Sequence, residues 1–299
     1  MTSASDASDD SGFKLYHYDP SFAGAVIFAL SFGAVSIRHL QLIFKTRTWA
    51  FIPFFIGCLF ETVGYGARAY SARQTPDWSL IPYIMQSMLI LLGPALFAAS
   101  IYMVLGRLIR VLDGQEYSLI RVRWLTKFFL LGDILSIFGQ SGGGGILASA
   151  NSDSSMKLGN NVILLGLAIQ LIFFGFFIIV TAVFHVRVLQ RPTPRSQATS
   201  SPWKGFILVL YLASFLIMVR SLFRMVEYAQ GNDGSLIKKE VYVYVLDALL
   251  MVAVAVLFSV YHPSNVLVEH KILESGVNFG GSSDTYPMVA GGGRYTNVD

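Results

Sequence analysis

Cysteine is almost absent. Cys58 is the only one in 299 residues, so the chain can form no disulfide within itself and no thiolate metal cluster. Charge is scarce as well: Asp, Glu, Lys and Arg make up 13% of the sequence, against 54% apolar residues. A soluble domain of this length has too little interior to hide that much apolar surface. No Gly-x-x-x-x-Gly-Lys-Ser/Thr loop occurs, which removes an ATP-binding engine. No Gly-x-Ser-x-Gly elbow occurs either. His39, His185 and His262 fall near span ends and form no His-x-x-x-His or His-Glu-x-x-His pair, so no metal is expected. The last apolar run has no lysine, which excludes a retinal Schiff base there. No Asn-x-Ser/Thr glycosylation acceptor is found. Neither catalysis nor a cofactor is indicated.

What remains is apolar sequence in long runs. A bilayer core needs about 20 mostly apolar residues per helix. Seven runs qualify: Phe22–Phe44, Trp49–Tyr70, Ile81–Leu105, Leu125–Ser149, Gly159–Val186, Gly205–Tyr228 and Val241–His262, with Pro263 as a stop. The expected fold is an all-α, seven-helix membrane bundle over residues 21–263. Residues 1–20, acidic and without a basic n-region, are expected to be a disordered tail rather than a cleavable signal, and 264–299 a largely disordered one.

The formal net charge of +4 does not point to nucleic acid, because Lys and Arg gather in short clusters between the apolar runs. Lys45 and Arg47 follow the first span. Arg107, Arg110, Arg121, Arg123 and Lys127 follow the third, and Arg187, Arg191, Arg195 and Lys204 the fifth. The alternate loops are poorer. The positive-inside rule then places the amino terminus outside and the carboxy terminus in the cytoplasm.

An ionisable group at membrane depth is costly unless it faces the bundle and finds a partner. Glu61 and Arg68 lie in the second span, Asp133 and Gln140 in the fourth, Arg220, Arg224 and Glu227 in the sixth, and Asp247 in the seventh. Glu61 and Arg68 share a helix face by their spacing, as do Asp133 and Gln140; Arg220, Arg224 and Glu227 form one stripe. With Arg38 counted, four acids nearly balance four arginines. For a single residue a structural ion pair remains open. As a set the eight are read as lining a polar pathway for substrate or protons. Gly93-Pro94 should kink the third span and free a carbonyl that a neighbour must satisfy. Gly142–Gly145 is read as a turn, with a hinge or a close-packing site as alternatives. A faint echo, Phe60-x-x-Val63-x-Tyr65 against Phe223-x-x-Val226-x-Tyr228, allows a parallel repeat of the first three and last three spans.

In order along the chain stand Tyr16-x-Tyr18-x-Pro20-Ser21, Glu61-x-x-Gly64-Tyr65-x-x-Arg68 and Pro94-Ala95 with Ala98-Ala99 and Tyr102. Asp133 and Gln140 with the glycine run follow, then Arg220-Ser221-x-x-Arg224-x-x-Glu227-Tyr228 with Gly231, Glu240, Tyr244 and Asp247, and last His262-Pro263. Together these resemble the fungal RTA-like family, the lipid-translocating exporters. The resemblance implies a multi-pass plasma-membrane protein tied to efflux of amphipathic lipids and to stress resistance, with sphingoid bases, sterol-like toxins or porphyrins as substrates of relatives.

The combined expectation is an ATP-independent exporter or translocator of membrane lipids or amphipathic small molecules. The alternative is a receptor-like sensor that regulates lipid asymmetry through partners. The sequence is silent on oligomeric state. The topology has a direct check: a protease-cleavable tag at Ser5 should be cut on intact cells and one at Ser282 protected. Cleavage of the Ser282 tag from outside would overturn the orientation.

Overall fold

A computed structural model describes residues 20–74, 79–150, 152–198, 203–230 and 240–264, and among these no strand is found. The two expected disordered tails lie almost wholly outside the described residues. The helices are α1 (Phe22–Thr46), α2 (Ile52–Arg73), α3 (Leu80–Val111), α4 (Val122–Ala148), α5 (Asp153–Gln190), the short α6 (Pro194–Ala198) and α7 (Trp203–Ala229). The last rod is composite: α8 (Glu240–Val243), a π-turn at Tyr244–Ala248, and α9 (Leu249–Val260). Each boundary has a local cause. Ser21 caps α1, its hydroxyl accepting from the Gly24 N–H at 3.3 Å, and Ser152 caps α5 in the same way. Arg47, in the left-handed region with φ 53°, ends α1.

Packing follows the chain around a closed ring. Each long rod lies against the next, α5 against α7 across the short α6, and α9 returns to α1. α3 also reaches across to α7, and it is the most buried of the apolar rods. The outward faces carry large apolar side chains such as Ile27, Leu30, Phe138, Leu165, Ile172, Leu208 and Phe215, all more than half exposed. A belt of this kind suits lipid rather than water.

Six rods are long and apolar enough to cross a bilayer: Phe22–Thr46, Trp49–Arg73, Ile81–Val111, Ser154–Gln190, Trp203–Ala229 and Glu240–Val260. The chain is thus a multi-pass membrane protein. The expected fourth span, α4, is not among these six; Asp133, Gln140 and the glycines make it less apolar than the other rods. It is nonetheless 27 residues long, about 40 Å at helical rise, and packs extensively along α5.

That packing corrects the reading of the glycine run. Gly142–Gly145 is helix, not turn. A Cβ on Gly143 would lie 2.6 Å from the Gly159 carbonyl oxygen, and one on Gly166 would lie 2.8 Å from the Ser136 carbonyl oxygen. Gly139 faces the Gly166 backbone in turn. Glycines on both helices let α4 and α5 approach backbone to backbone, the small-residue packing of membrane helices. Gly142, Gly144 and Gly145 meet nothing within 4 Å.

The contrast is testable by thermal unfolding in detergent. Gly143→Ala should cost about 1–3 kcal/mol through overpacking. Gly144→Ala should be neutral or stabilise by about 0.5–1 kcal/mol through helix propensity. Equal melting of the two variants would contradict the interface.

Candidate functional site

All eight residues singled out in the sequence turn inward. Seven are buried and Arg224 is half-buried. Arg38, counted above among the balancing charges, is exposed and does not join them.

The centre of the site begins with a proline. Pro94 lies inside α3 and has no N–H, so the carbonyl one turn earlier, that of Ile90, loses its helical partner. Arg220 on α7 supplies the replacement: its Nη2 donates to the Ile90 oxygen at 3.0 Å. The Nε of the same guanidinium donates to Oδ1 of Asp247, in the π-turn of the last rod. One side chain therefore joins α3, α7 and the last rod. Asp247 Oδ2 has no hydrogen-bond partner among the described residues.

Beside this bracket, Glu61 of α2 is 1% exposed, and neither of its carboxyl oxygens has a hydrogen-bond partner among the described residues. It fits because α3 offers no side chain at Gly93, where a Cβ would come within 2.5 Å of Glu61 Oε1. The charges that act on Glu61 are Asp247, Arg220 and Arg224. Tyr65, one turn along α2, is fully buried, and its hydroxyl has no hydrogen-bond partner among the described residues. Arg224 pairs within its own helix, Nη1 to Glu227 Oε2 at 2.8 Å, with its guanidinium over the Tyr228 ring.

A second tie closes the end of the bundle where α1 begins. Arg68 Nη2 meets Glu240 Oε1 at 2.8 Å, and Arg68 Nε donates to the Tyr244 hydroxyl at 3.2 Å. Glu240 also accepts from the Ser21 backbone N–H at 2.9 Å, and Tyr244 donates to the Ser21 carbonyl at 3.2 Å. Glu240 and Tyr244 were visible in the sequence only as family motif residues. Glu240 lies just before the apolar run of its span, so a scan for charges within the run passes over it.

Asp133 and Gln140 sit elsewhere. Asp133 on α4 faces the Tyr102 hydroxyl of α3, but the two do not meet in hydrogen-bond geometry, and neither carboxyl oxygen has a hydrogen-bond partner among the described residues. Gln140 Nε2 donates to Gln170 Oε1 of α5 at 3.2 Å, and the Ser136 hydroxyl shares that acceptor at 3.3 Å. Gly93 and Tyr102 are nine residues apart on α3, roughly two and a half turns, and so lie on opposite faces. Glu61 and Asp133, the two buried carboxyls without an ion pair among the described residues, thus flank the central helix on either side. Of the three span-end histidines, His39 and His262 come together while His185 stands apart with Tyr211. Among the described residues no group of His, Cys, Asp and Glu forms a metal site.

Residues 54–270 match the protein family described as RTA1 like protein. The chain is 39% identical over 286 residues to Protoporphyrin uptake protein 1 of Saccharomyces cerevisiae, covering 84% of this chain and 92% of that one. Protein RTM1 of Saccharomyces cerevisiae is 41% identical over 234 residues, 78% of this chain and 73% of the relative. Sphingoid long-chain base transporter RSB1 of the same species is more distant, 25% identical over 305 residues, with 91% and 76% covered. No solved structure matches the chain at a significant level.

The Arg68–Glu240 tie can be weighed by a double-mutant cycle on unfolding free energy. Arg68→Met and Glu240→Gln should each destabilise, and their combined effect should fall short of additivity by about 0.5–3 kcal/mol. Full additivity would mean that the two side chains act through separate partners.

Proposed function

Because the chain belongs to the RTA1-like protein family, we propose that it moves amphipathic lipids or lipid-like toxins across the plasma membrane without ATP, by export or by transfer between leaflets. The observation that carries this reading is Glu61. A carboxyl at 1% exposure with neither oxygen hydrogen-bonded among the described residues is an expensive arrangement for a scaffold. It suits a group that receives a partner during the cycle, either a proton or a cationic headgroup such as a sphingoid ammonium. Asp133, across α3, is the second such group. Asp247 is already engaged by Arg220, and Glu227 by Arg224, so these acids hold the site together and Arg68, Arg220 and Arg224 serve as counter-charges. Gln140 braces α4 against α5 beside the pathway.

The names of relatives support transport in more than one direction. One is an uptake protein, another a sphingoid base transporter, and a third, from Leptosphaeria maculans, is described as a lipid-translocating exporter-like protein. The full topology belongs to the same proposal. With α4 as a seventh crossing, an outside amino terminus and a cytoplasmic carboxy terminus, the basic clusters all fall on one side. The first three and last three spans would then form parallel halves around α4.

Reconstitution tests the proposal. Purified protein in vesicles without ATP should carry a fluorescent sphingoid base, a fluorescent sterol amine or a fluorescent phospholipid across the bilayer faster than protein-free vesicles. Glu61→Gln and Asp133→Asn should each slow that movement by about tenfold or more, the effect of losing one charge-assisted contact. Surface abundance in cells should stay unchanged. No movement of any of the three lipids, with altered lipid asymmetry persisting in cells, would favour the receptor-like sensor instead.

A further inference from the structure

The ends of α1 and α9 opposite the Arg68–Glu240 tie hold a polar arrangement that the transport reading does not use. His39 of α1 is fully buried, and His262, two residues beyond α9, is 4% exposed. Two phenyl rings stand against the pair and a third backs them: Phe54 is edge-on to His39 at 4.8 Å between ring centroids, Phe51 is edge-on to His262 at 5.4 Å, and Phe258 packs on both Phe51 and Phe54. A wet interfacial site would not be walled by three phenyl rings.

The hydrogen bonds of the pair fix where each ring carries its proton. His39 Nε2 lies 2.9 Å from the Ala255 carbonyl oxygen. A carbonyl only accepts, so His39 Nε2 carries the hydrogen and, in the neutral ring, Nδ1 is left with a lone pair. His262 Nδ1 lies 3.3 Å from the Ser264 backbone N–H. That N–H only donates, so His262 Nδ1 is the acceptor and Nε2 carries the hydrogen. The two nitrogens that remain, His39 Nδ1 and His262 Nε2, are a buried acceptor and a buried donor, and neither has a partner among the described residues. They do not satisfy each other: the ring centroids stand 6.5 Å apart and no direct bond forms. Ser36, one helical turn before His39 on the same face of α1, adds a third buried polar group, its hydroxyl also unpartnered.

We infer that His39 and His262 form a binding site for a single hydroxyl group, bridged between the His39 Nδ1 acceptor and the His262 Nε2 donor. A hydroxyl donates one hydrogen bond and accepts up to two, so it satisfies both nitrogens at once and leaves a lone pair for Ser36. A metal ion does not fit, because ligation needs a free lone pair on each ring and His262 Nε2 holds its hydrogen. A carboxylate or a phosphodiester does not fit either, since it offers no hydrogen to His39. The hydroxyl belongs to a buried water or to the alcohol headgroup of an amphipathic molecule. In either case it fastens α1 to the end of the last rod, as Glu240 fastens the two at the opposite end. The site does not depend on which lipid is carried or on the direction of transport.

Solid-state NMR of the full-length protein in bilayers, with nitrogen-15 in its histidines, tests the inference. His39→Gln keeps a donor for the Ala255 carbonyl and removes the ring Nδ1. His262→Asn keeps an acceptor for the Ser264 N–H and removes the ring Nε2. Both variants should therefore fold with near-native melting, and they assign the signals. The expected result is two neutral rings protonated on Nε2, with His39 Nδ1 and His262 Nε2 both coupled to one O–H proton. Neither variant should show that shared coupling. If dodecan-1-ol, but not dodecane, shifts both signals, the hydroxyl comes from an amphipathic alcohol. If the bridging proton exchanges with solvent and dodecan-1-ol has no effect, it is a water. A cationic His39, a hydrogen on His262 Nδ1, a direct coupling between the two rings, or the absence of any O–H coupling would each overturn the site.

Discussion

The fold depends on one arginine doing what a missing backbone N–H cannot. Pro94 leaves the Ile90 carbonyl without a partner in the most buried helix of the bundle, and lipid offers no water to take its place. Arg220 supplies the missing donor and at the same time neutralises Asp247. Without Pro94 the guanidinium would have one fewer acceptor; without Arg220 both a carbonyl and a carboxylate would be stranded. Removing one partner of such a buried pair costs several kcal/mol, because the other charge stays behind. The π-turn places Asp247 at this meeting point of α3, α7 and the last rod. Insertions of this type occur often at functional sites.

Around this bracket the charges divide by what they already hold. Three acids are matched to arginines: Asp247 to Arg220, Glu227 to Arg224 and Glu240 to Arg68. Glu61 and Asp133 are not, and they lie on opposite faces of α3. A bundle that satisfies some of its buried charges and leaves others open combines two requirements. The matched pairs fix helix order and register. Under the proposed function, the open carboxyls are the groups that would receive a proton or a cation from outside the fold. The α4–α5 glycine interface adds rigidity on the side away from the bracket, since backbones in van der Waals contact leave little freedom to slide.

Much of this was legible in the sequence because membrane burial leaves strong marks. Long apolar runs located the six crossing rods, and the rarity of charge within them drew attention to all eight inward-facing residues. The freed carbonyl could be foreseen from Gly93-Pro94, because the loss of an N–H is a covalent fact. Its partner could not, since Arg220 reaches Ile90 across 130 positions and no spacing rule connects them. The π-turn had no signature, as it depends on tertiary contacts rather than propensity. The glycine run was misjudged for a related reason: flexibility in water and close packing in lipid favour the same residue, and only the facing glycines of α5 decide between them. Charge balance also misled once. It counted Arg38, which is exposed, and left out Glu240, which lies outside its apolar run yet completes a tie.

The central claim is that Arg220 stands in for the hydrogen bond that Pro94 removes. Unfolding free energies of the wild type, Pro94→Ala, Arg220→Met and the double variant measure it directly. Arg220→Met should cost about 3–5 kcal/mol in the wild type. In the Pro94→Ala background the Ile90 carbonyl regains a helical partner, so the cost should shrink by about 1.5–3 kcal/mol, the worth of a hydrogen bond from a charged donor. The same cost in both backgrounds would show that Arg220 serves Asp247 alone and that the Ile90 carbonyl is satisfied by something else.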